Sequence, residues 1–332
     1  MNKKLRILFF IIGFSFFIYL IYQFGPEKIF QNIQRTGWWF LPVIGVWGLV
    51  YLINSIVWYF IVDANTNDLK FGNIFQITVS GFAINYITPF VNLGGEPYRI
   101  AALKGNLGLT RSISSVVVYT MLHFLSHFIF WILAIAAAVI TLSLSPSMLT
   151  LFLILLVSLV LFTIFTLRRQ KKGIAQVFFK YLSTIPGVQK LQQKMEKKNT
   201  YLIDVDQEIT AFYLNRRKSF YISLGLDLLS RFVAMFEFYF ILKAIGINAA
   251  VSDAFFIAAG SSLIMNLFFF IPLTLGVREG GLFIIMQLLN FTPGVGVYVS
   301  VINRIREFFW IFIGLILIQI YRNSPIKNYS TE

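Results

Sequence analysis

Residues 113–144 read ISSVVVYTMLHFLSHFIFWILAIAAAVITLSL, and residues 148–167 read MLTLFLILLVSLVLFTIFTL. Neither run contains an Asp, Glu, Lys or Arg. A helix needs roughly 20 mainly apolar residues to cross the ~30 Å hydrocarbon core of a bilayer, and both runs are long enough. Backbone polar groups inside lipid must be satisfied within the segment, so the runs read as helices. Only Ser145, Pro146 and Ser147 separate them, a turn that sends the chain straight back. This pair alone points to an all-α polytopic membrane protein.

The remainder of the chain agrees. Of 332 residues, 58% are hydrophobic and only 13% charged, against about 25% charged in a soluble domain. An apolar run at 7–22 follows Lys3, Lys4 and Arg6 and has no small-residue cleavage site after it. It reads as a retained first helix at about 5–22 with a cytoplasmic N-terminus. A polar loop with Gly25, Pro26 and Gly37 follows, then a second helix at about 38–62. Segment 71–88 is apolar but is cut by Pro89, and 92–111 is half apolar. After the long pair of helices comes 168–218, with twelve Lys/Arg against four acids. This is the cytoplasmic middle, an amphipathic stretch lying on anionic lipid. A helix at about 220–245 follows, then 254–271 cut by Pro272, a short piece at 279–290 and a last helix at about 297–321.

Five parts result: a first helix and loop (1–37), a first membrane repeat with its following helix (38–167), the basic segment (168–218), a second membrane repeat (219–322) and a cytoplasmic tail (323–332). The location is the cell membrane, multi-pass, with both termini cytoplasmic. The net charge of +14 belongs to loops on anionic lipid rather than to nucleic-acid binding. Cysteine is absent and His123 and His127 are the only histidines, so no metal and no cofactor are expected. The two histidines, one helical turn apart, read as packing or hydrogen-bonding groups. There is no phosphate-binding Walker loop, no nucleophile elbow, no HExxH and no dinucleotide fingerprint.

The two interrupted segments resemble each other. Pro89 is followed by Gly94, Gly95 and Glu96, and Pro272 by Gly276, Arg278 and Glu279. Pro and Glu stand seven apart in both, and the prolines are 272 − 89 = 183 residues apart. The same shift moves helix 38–62 onto 221–245. The first of these helices starts outside and the second starts inside, so the expectation is an inverted-topology repeat. Treating 71–108 and 253–292 as broken or re-entrant helical hairpins keeps the basic middle and the C-terminus in the cytoplasm.

Charges placed in lipid are costly and mark functional sites or internal ion pairs. Gly94, Gly95, Glu96, Arg99, Gly276, Arg278, Glu279 and Arg304 are the candidate substrate-binding residues. A short helix is expected to begin near Pro97, and its N-terminus would favour an anion. Arg99 and Arg278 would contact a phosphate, with Glu96 and Glu279 pairing them in the empty site. Asp227 with Arg231, and Arg306 with Glu307, read as structural ion pairs.

At these residues the chain resembles the membrane region of lysylphosphatidylglycerol synthases, the "flippase-like" family. The resemblance rests on Pro89…Gly94-Gly95-Glu96-Pro97-Tyr98-Arg99, Pro272…Gly276-Val277-Arg278-Glu279 and Arg304-Ile305-Arg306-Glu307. It implies a lipid translocase for an anionic or polyprenyl-phosphate-linked envelope lipid. In full-length synthases an aminoacyl-transferase domain makes the lipid. The sequence ends at Glu332 without one, so translocation rather than synthesis is expected. The alternative is a membrane-embedded enzyme, or a non-catalytic assembly subunit of a lipid or glycoconjugate pathway with an envelope-biosynthesis partner protein.

Overall fold

The structure is a computed structural model that describes residues 25–63, 69–88, 94–169, 199–269, 271, 274 and 276–320. Of the expected first helix, Ile7, Ile11, Phe14, Ser15, Ile18, Tyr19 and Tyr22 are described, and they are helical and exposed. The rest of that helix, most of the basic segment, Pro89, Pro272 and the C-terminal tail lie outside the described residues. Every regular element among those described is a helix.

The first is α1, Pro26–Thr36, where a polar loop was expected. The glycines and the proline were read as loop formers, whereas they are the helix's punctuation. Gly25, at φ 92°, precedes Pro26 in the first turn, and Gly37, at φ 58°, ends the last one. Glu27 and Arg35 sit at the dipole ends that favour their charges. Ile29 and Ile33 face the protein, and the Thr36 hydroxyl meets the Tyr298 hydroxyl at 2.7 Å.

A single 3₁₀ turn leads into α2, Phe40–Val62. Then come α3, Phe71–Ile87, and α4, Gly95–Thr141, whose 47 residues bend at Gly108, at φ 74° and ψ 171°. That backbone conformation suits glycine alone. Pro146–Arg169 is α5, and Asn199–Asn215 is α6. The helix expected at 220–245 starts earlier, as α7, Arg217–Ala234, and is interrupted at Met235 before α8, Phe236–Ala244. Val251–Leu267 is α9, Val277–Leu288 is α10 and Gly294–Ile320 is α11.

Three helical stretches among the described residues are long and apolar enough to cross a membrane: Ile29–Val62, Gly95–Thr141 and Pro146–Arg168. The apolar window of the last has none of its residues buried within the protein, as expected of a helix whose surroundings are lipid. Helix α2 and the α7–α8 pair run antiparallel. At one end Arg216 donates to the carbonyls of Phe60 and Ile61, at 2.6 and 3.1 Å, supplying partners to the last turn of α2. At the other end Trp39 stacks on Phe240.

Each expected hairpin is a pair of packed helices. In the first, Gly81 of α3 lies against Arg99, and Asn85 against Gly95. In the second, Gly260 of α9 lies against Ile285, and Ile264 against Gly281. At 1.5 Å per residue, the 17 residues of α3 rise about 25 Å. The 12 residues of α10 rise about 18 Å. Both are shorter than the hydrocarbon core.

Two hydrophobic cores form along the helices. One gathers Val57, Trp58, Ile77, Leu122, Phe212 and Leu315; the other gathers Val43, Phe130, Phe238, Ile257, Leu282 and Ile302. Between them four of the helices carry buried polar residues: Asn54 and Ser55 on α2, Ser126 on α4, Asp227 and Ser230 on α7, Arg306 on α11. A polar belt thus separates two apolar layers.

Candidate functional site

The belt is where the expected site residues lie. Helix α4 opens at Gly95, two residues before Pro97, with Gly94 as its N-cap. The Gly95 amide donates to Asn85 Oδ1 at 2.6 Å. A Cβ on Gly95 would collide with the Gly81 carbonyl and the Asn85 side chain. The glycine therefore serves to bring the helix start against α3, and a β-carbon would force the two apart. Asn85 Nδ2 also reaches Glu96 Oε1 at 3.3 Å, and Arg99 Nη1 lies 3.5 Å from that same oxygen.

Arg99 is 2% exposed. Its guanidinium sits over the rings of Phe82 at 4.7 Å, Tyr119 at 5.3 Å and Trp58 at 5.7 Å. Such a box holds a desolvated cation through ring quadrupoles. None of the three residues hydrogen-bonds to it, and Arg99 Nε and Nη2 have no partner.

The second loop is wired differently from the expectation. Glu279 does not pair with Arg278. Its Oε2 accepts the Gly276 amide at 2.9 Å, completing the cap of α10. Its Oε1 accepts Ser300 Oγ and Arg304 Nη2, both at 2.8 Å. Arg278 instead reaches Glu307 at 2.7 Å. The reason is helical geometry: adjacent side chains on α10 diverge by about 100°, so Arg278 and Glu279 reach the same stripe of α11 at different heights, Glu279 at Ser300 and Arg304 and Arg278 one turn further on at Glu307. Arg278 Nη1 is left without a partner.

Arg306 is likewise not principally paired with Glu307, which lies 4.0 Å away. Its Nε and Nη2 grip Glu237 at 2.9 and 3.1 Å. Glu237 also accepts from Trp47 Nε1 and Asn303 Nδ2, each at 2.6 Å, and the Trp47 ring covers the guanidinium at 3.8 Å. Nη1 of Arg306 makes no hydrogen bond of normal geometry, with Tyr86 the neighbour that interacts with this side chain. Glu237, which is 1% exposed, is absent from the charges singled out in the sequence. Its signal was available, since it is one of two acids, with Asp227, inside a predicted membrane helix. Asn85 carried no such signal, because an uncharged amide in an apolar run looks like any other.

Asp227 and Arg231 pair at 3.1 Å, as expected, and they also enclose His123. Its Nδ1 lies 3.1 Å from Asp227 Oδ1 and 2.9 Å from Arg231 Nη2. Ser126 bonds to Asp227 Oδ2 and receives Arg231 Nε at 3.1 Å. His127 takes a separate partner, Ser262, at 3.1 Å.

The tip of α3 joins the two loops. Asn85 holds the first, while its neighbour Tyr86 lies in the field of Glu307, Arg306 and Arg278. Arg99, Arg278 and Arg306 thus each keep, while buried, an N–H that makes no hydrogen bond of normal geometry. Such a group costs about 1–3 kcal/mol unless something accepts a hydrogen bond from it. An anion can accept it, and guanidinium suits phosphate through paired bonds.

Residues 5–314 match the family described as the lysylphosphatidylglycerol synthase TM region. No curated protein and no solved structure matches the chain. The family match covers nearly the whole length and contains both loops and the arginine cluster of α11. The chain belongs to the lysylphosphatidylglycerol synthase TM region family.

Proposed function

We propose that this protein translocates a lipid with a phosphate-bearing headgroup, and that the headgroup is held by Arg99, Arg278 and Arg306. The observation that carries this reading is the N–H without a hydrogen bond of normal geometry on each of these three buried guanidiniums. Arg304 serves as a positioning residue, holding Glu279 and with it the start of α10.

An inverted repeat supports the reading, since such folds set a site between their halves at mid-depth. A shift of 183 residues carries the bend at Gly108 onto 291, in the gap between α10 and α11. It also carries Trp131, which bonds Ser262, onto Gly314, whose carbonyl accepts Ser80. The antiparallel course of α2 and α7–α8 is what inversion requires. The short arms of α3 and α10 favour re-entrant hairpins over complete crossings. Helix ends inside a membrane are tolerated where they line a polar cavity.

Native mass spectrometry with phosphatidylglycerol and phosphatidylcholine of matched chains tests the anion site. The proposal expects retention of the anionic lipid in preference, lost in Arg99→Ala and Arg278→Ala. Equal retention of both lipids, unchanged in the variants, would refute it.

A further inference from the structure

His123 stands between a hydrogen-bond donor and an acceptor that address the same atom. Arg231 Nη2 points a proton at Nδ1 from 2.9 Å, and Asp227 Oδ1 offers a lone pair to it from 3.1 Å. One nitrogen cannot satisfy both. Unprotonated Nδ1 accepts from Arg231, whereas protonated Nδ1 donates to Asp227. Both partners project from α7, one turn apart, so a single proton selects which of them α4 holds. Arg231 keeps other acceptors in either state, the His123 carbonyl at 3.2 Å and Asp227 Oδ2 at 3.1 Å. The exchange therefore strands no charge. The imidazole is partly open, at 25% side-chain exposure.

The same imidazole shares two rings with Arg99. Tyr119 stacks on it at 5.7 Å and Phe82 lies at 6.3 Å, and both rings also carry the Arg99 guanidinium. We propose that His123 is a proton-binding site whose occupancy is linked to headgroup occupancy at Arg99. This rests on the headgroup reading above. An imidazolium here stands as a third cation beside Arg99 and Arg231. A phosphate on Arg99 offsets the repulsion among them, so headgroup and proton each favour the other by the same factor.

The groups facing His123 are few. Helix α7 brings Asp227 and Arg231, and the first limb of α4 brings Arg99 with Glu96 behind it. Its own limb brings Tyr119 and His127. Helix α3 presents the Phe82 ring, α2 places Trp58 against Tyr119, and Ser262 of α9 is engaged by His127. Helix α5 sets Phe162 against Phe128. Glu208 of α6 lies in a cleft with Arg111, twelve residues or about 18 Å along the helix from His123.

The test is ¹⁵N NMR of the imidazole in nanodiscs, with His127→Gln leaving one histidine. Without added lipid ligand, Nδ1 and Nε2 should both become N–H as the pH is lowered. Adding phosphatidylglycerol should raise the midpoint by about one pH unit, which is a tenfold linkage. Phosphatidylcholine should not move it, and Arg99→Ala should abolish the effect. An imidazole that stays neutral throughout would overturn the proton site. If native mass spectrometry shows phosphatidylglycerol bound while the midpoint stays put, the linkage is overturned and the headgroup reading survives. If the lipid does not bind at all, both fall.

Discussion

Arg99 carries the largest consequence at the scale of a single residue. Its position among three rings satisfies its charge but not its hydrogen bonds. Lysine would keep the charge and the ring contacts while losing the planar fork. Arg99→Lys should therefore weaken phosphatidylglycerol retention by roughly tenfold or more, the worth of one charge-assisted bond, with near-normal amounts of folded protein in the membrane. Retention at wild-type strength would assign the site's selectivity to charge alone. Gly95 makes a different prediction. A methyl group there meets the Gly81 carbonyl, so Gly95→Ala should destabilise the first hairpin by about 1–3 kcal/mol, read as earlier unfolding in detergent. Glu96 and Arg99 were legible in the sequence because they follow Gly94 and Gly95 in an interrupted membrane segment. The partners of Arg278 and Glu279 were not, because they depend on which face of α10 meets α11.

At the scale of elements, the account turns on how helices are fastened to each other within the belt. Glu237 ties α8 to α11 through Arg306 and Asn303 and to α2 through Trp47. Glu237→Gln would leave Arg306 buried without its counter-charge, at a cost of about 3–5 kcal/mol. A large fall in unfolding temperature is expected; a change within error would mean that Glu307 and Tyr86 compensate. Gly314 makes the contact between α3 and α11 possible, since a Cβ there would strike Ala83 and crowd the Val79 carbonyl, 3.0 Å away. Gly314→Leu should prevent folding where Gly45→Leu, which has open space around it, does not. The long helices were readable from apolar length alone. The helix α1 was not, since a glycine–proline start and a glycine stop read equally well as a loop. The break at Met235 left no proline or glycine to announce it.

At the scale of the whole molecule, a belt of buried charge lies between two layers of apolar core, and the proposed site falls within that belt. Helices α4 and α5 should connect on the outer face and α6 should begin on the cytoplasmic face, following the positive-inside rule. A cysteine at Ser145 should then label from outside intact cells, and one at Asn199 only after the membrane is opened. The reverse pattern would invert the proposed orientation. Whether the molecule moves lipid is the claim on which the rest depends, and reconstituted vesicles address it. Vesicles carrying fluorescent phosphatidylglycerol in both leaflets, with purified protein, are treated with a membrane-impermeant quencher. Translocation carries the lipid of the inner leaflet outwards, so wild-type protein should lose well over half the signal. Arg99→Ala and Arg278→Ala should stop near the half expected of the outer leaflet alone, as should protein-free vesicles. Wild-type protein that also stops at half, with the lipid bound and both halves folded, would contradict translocation.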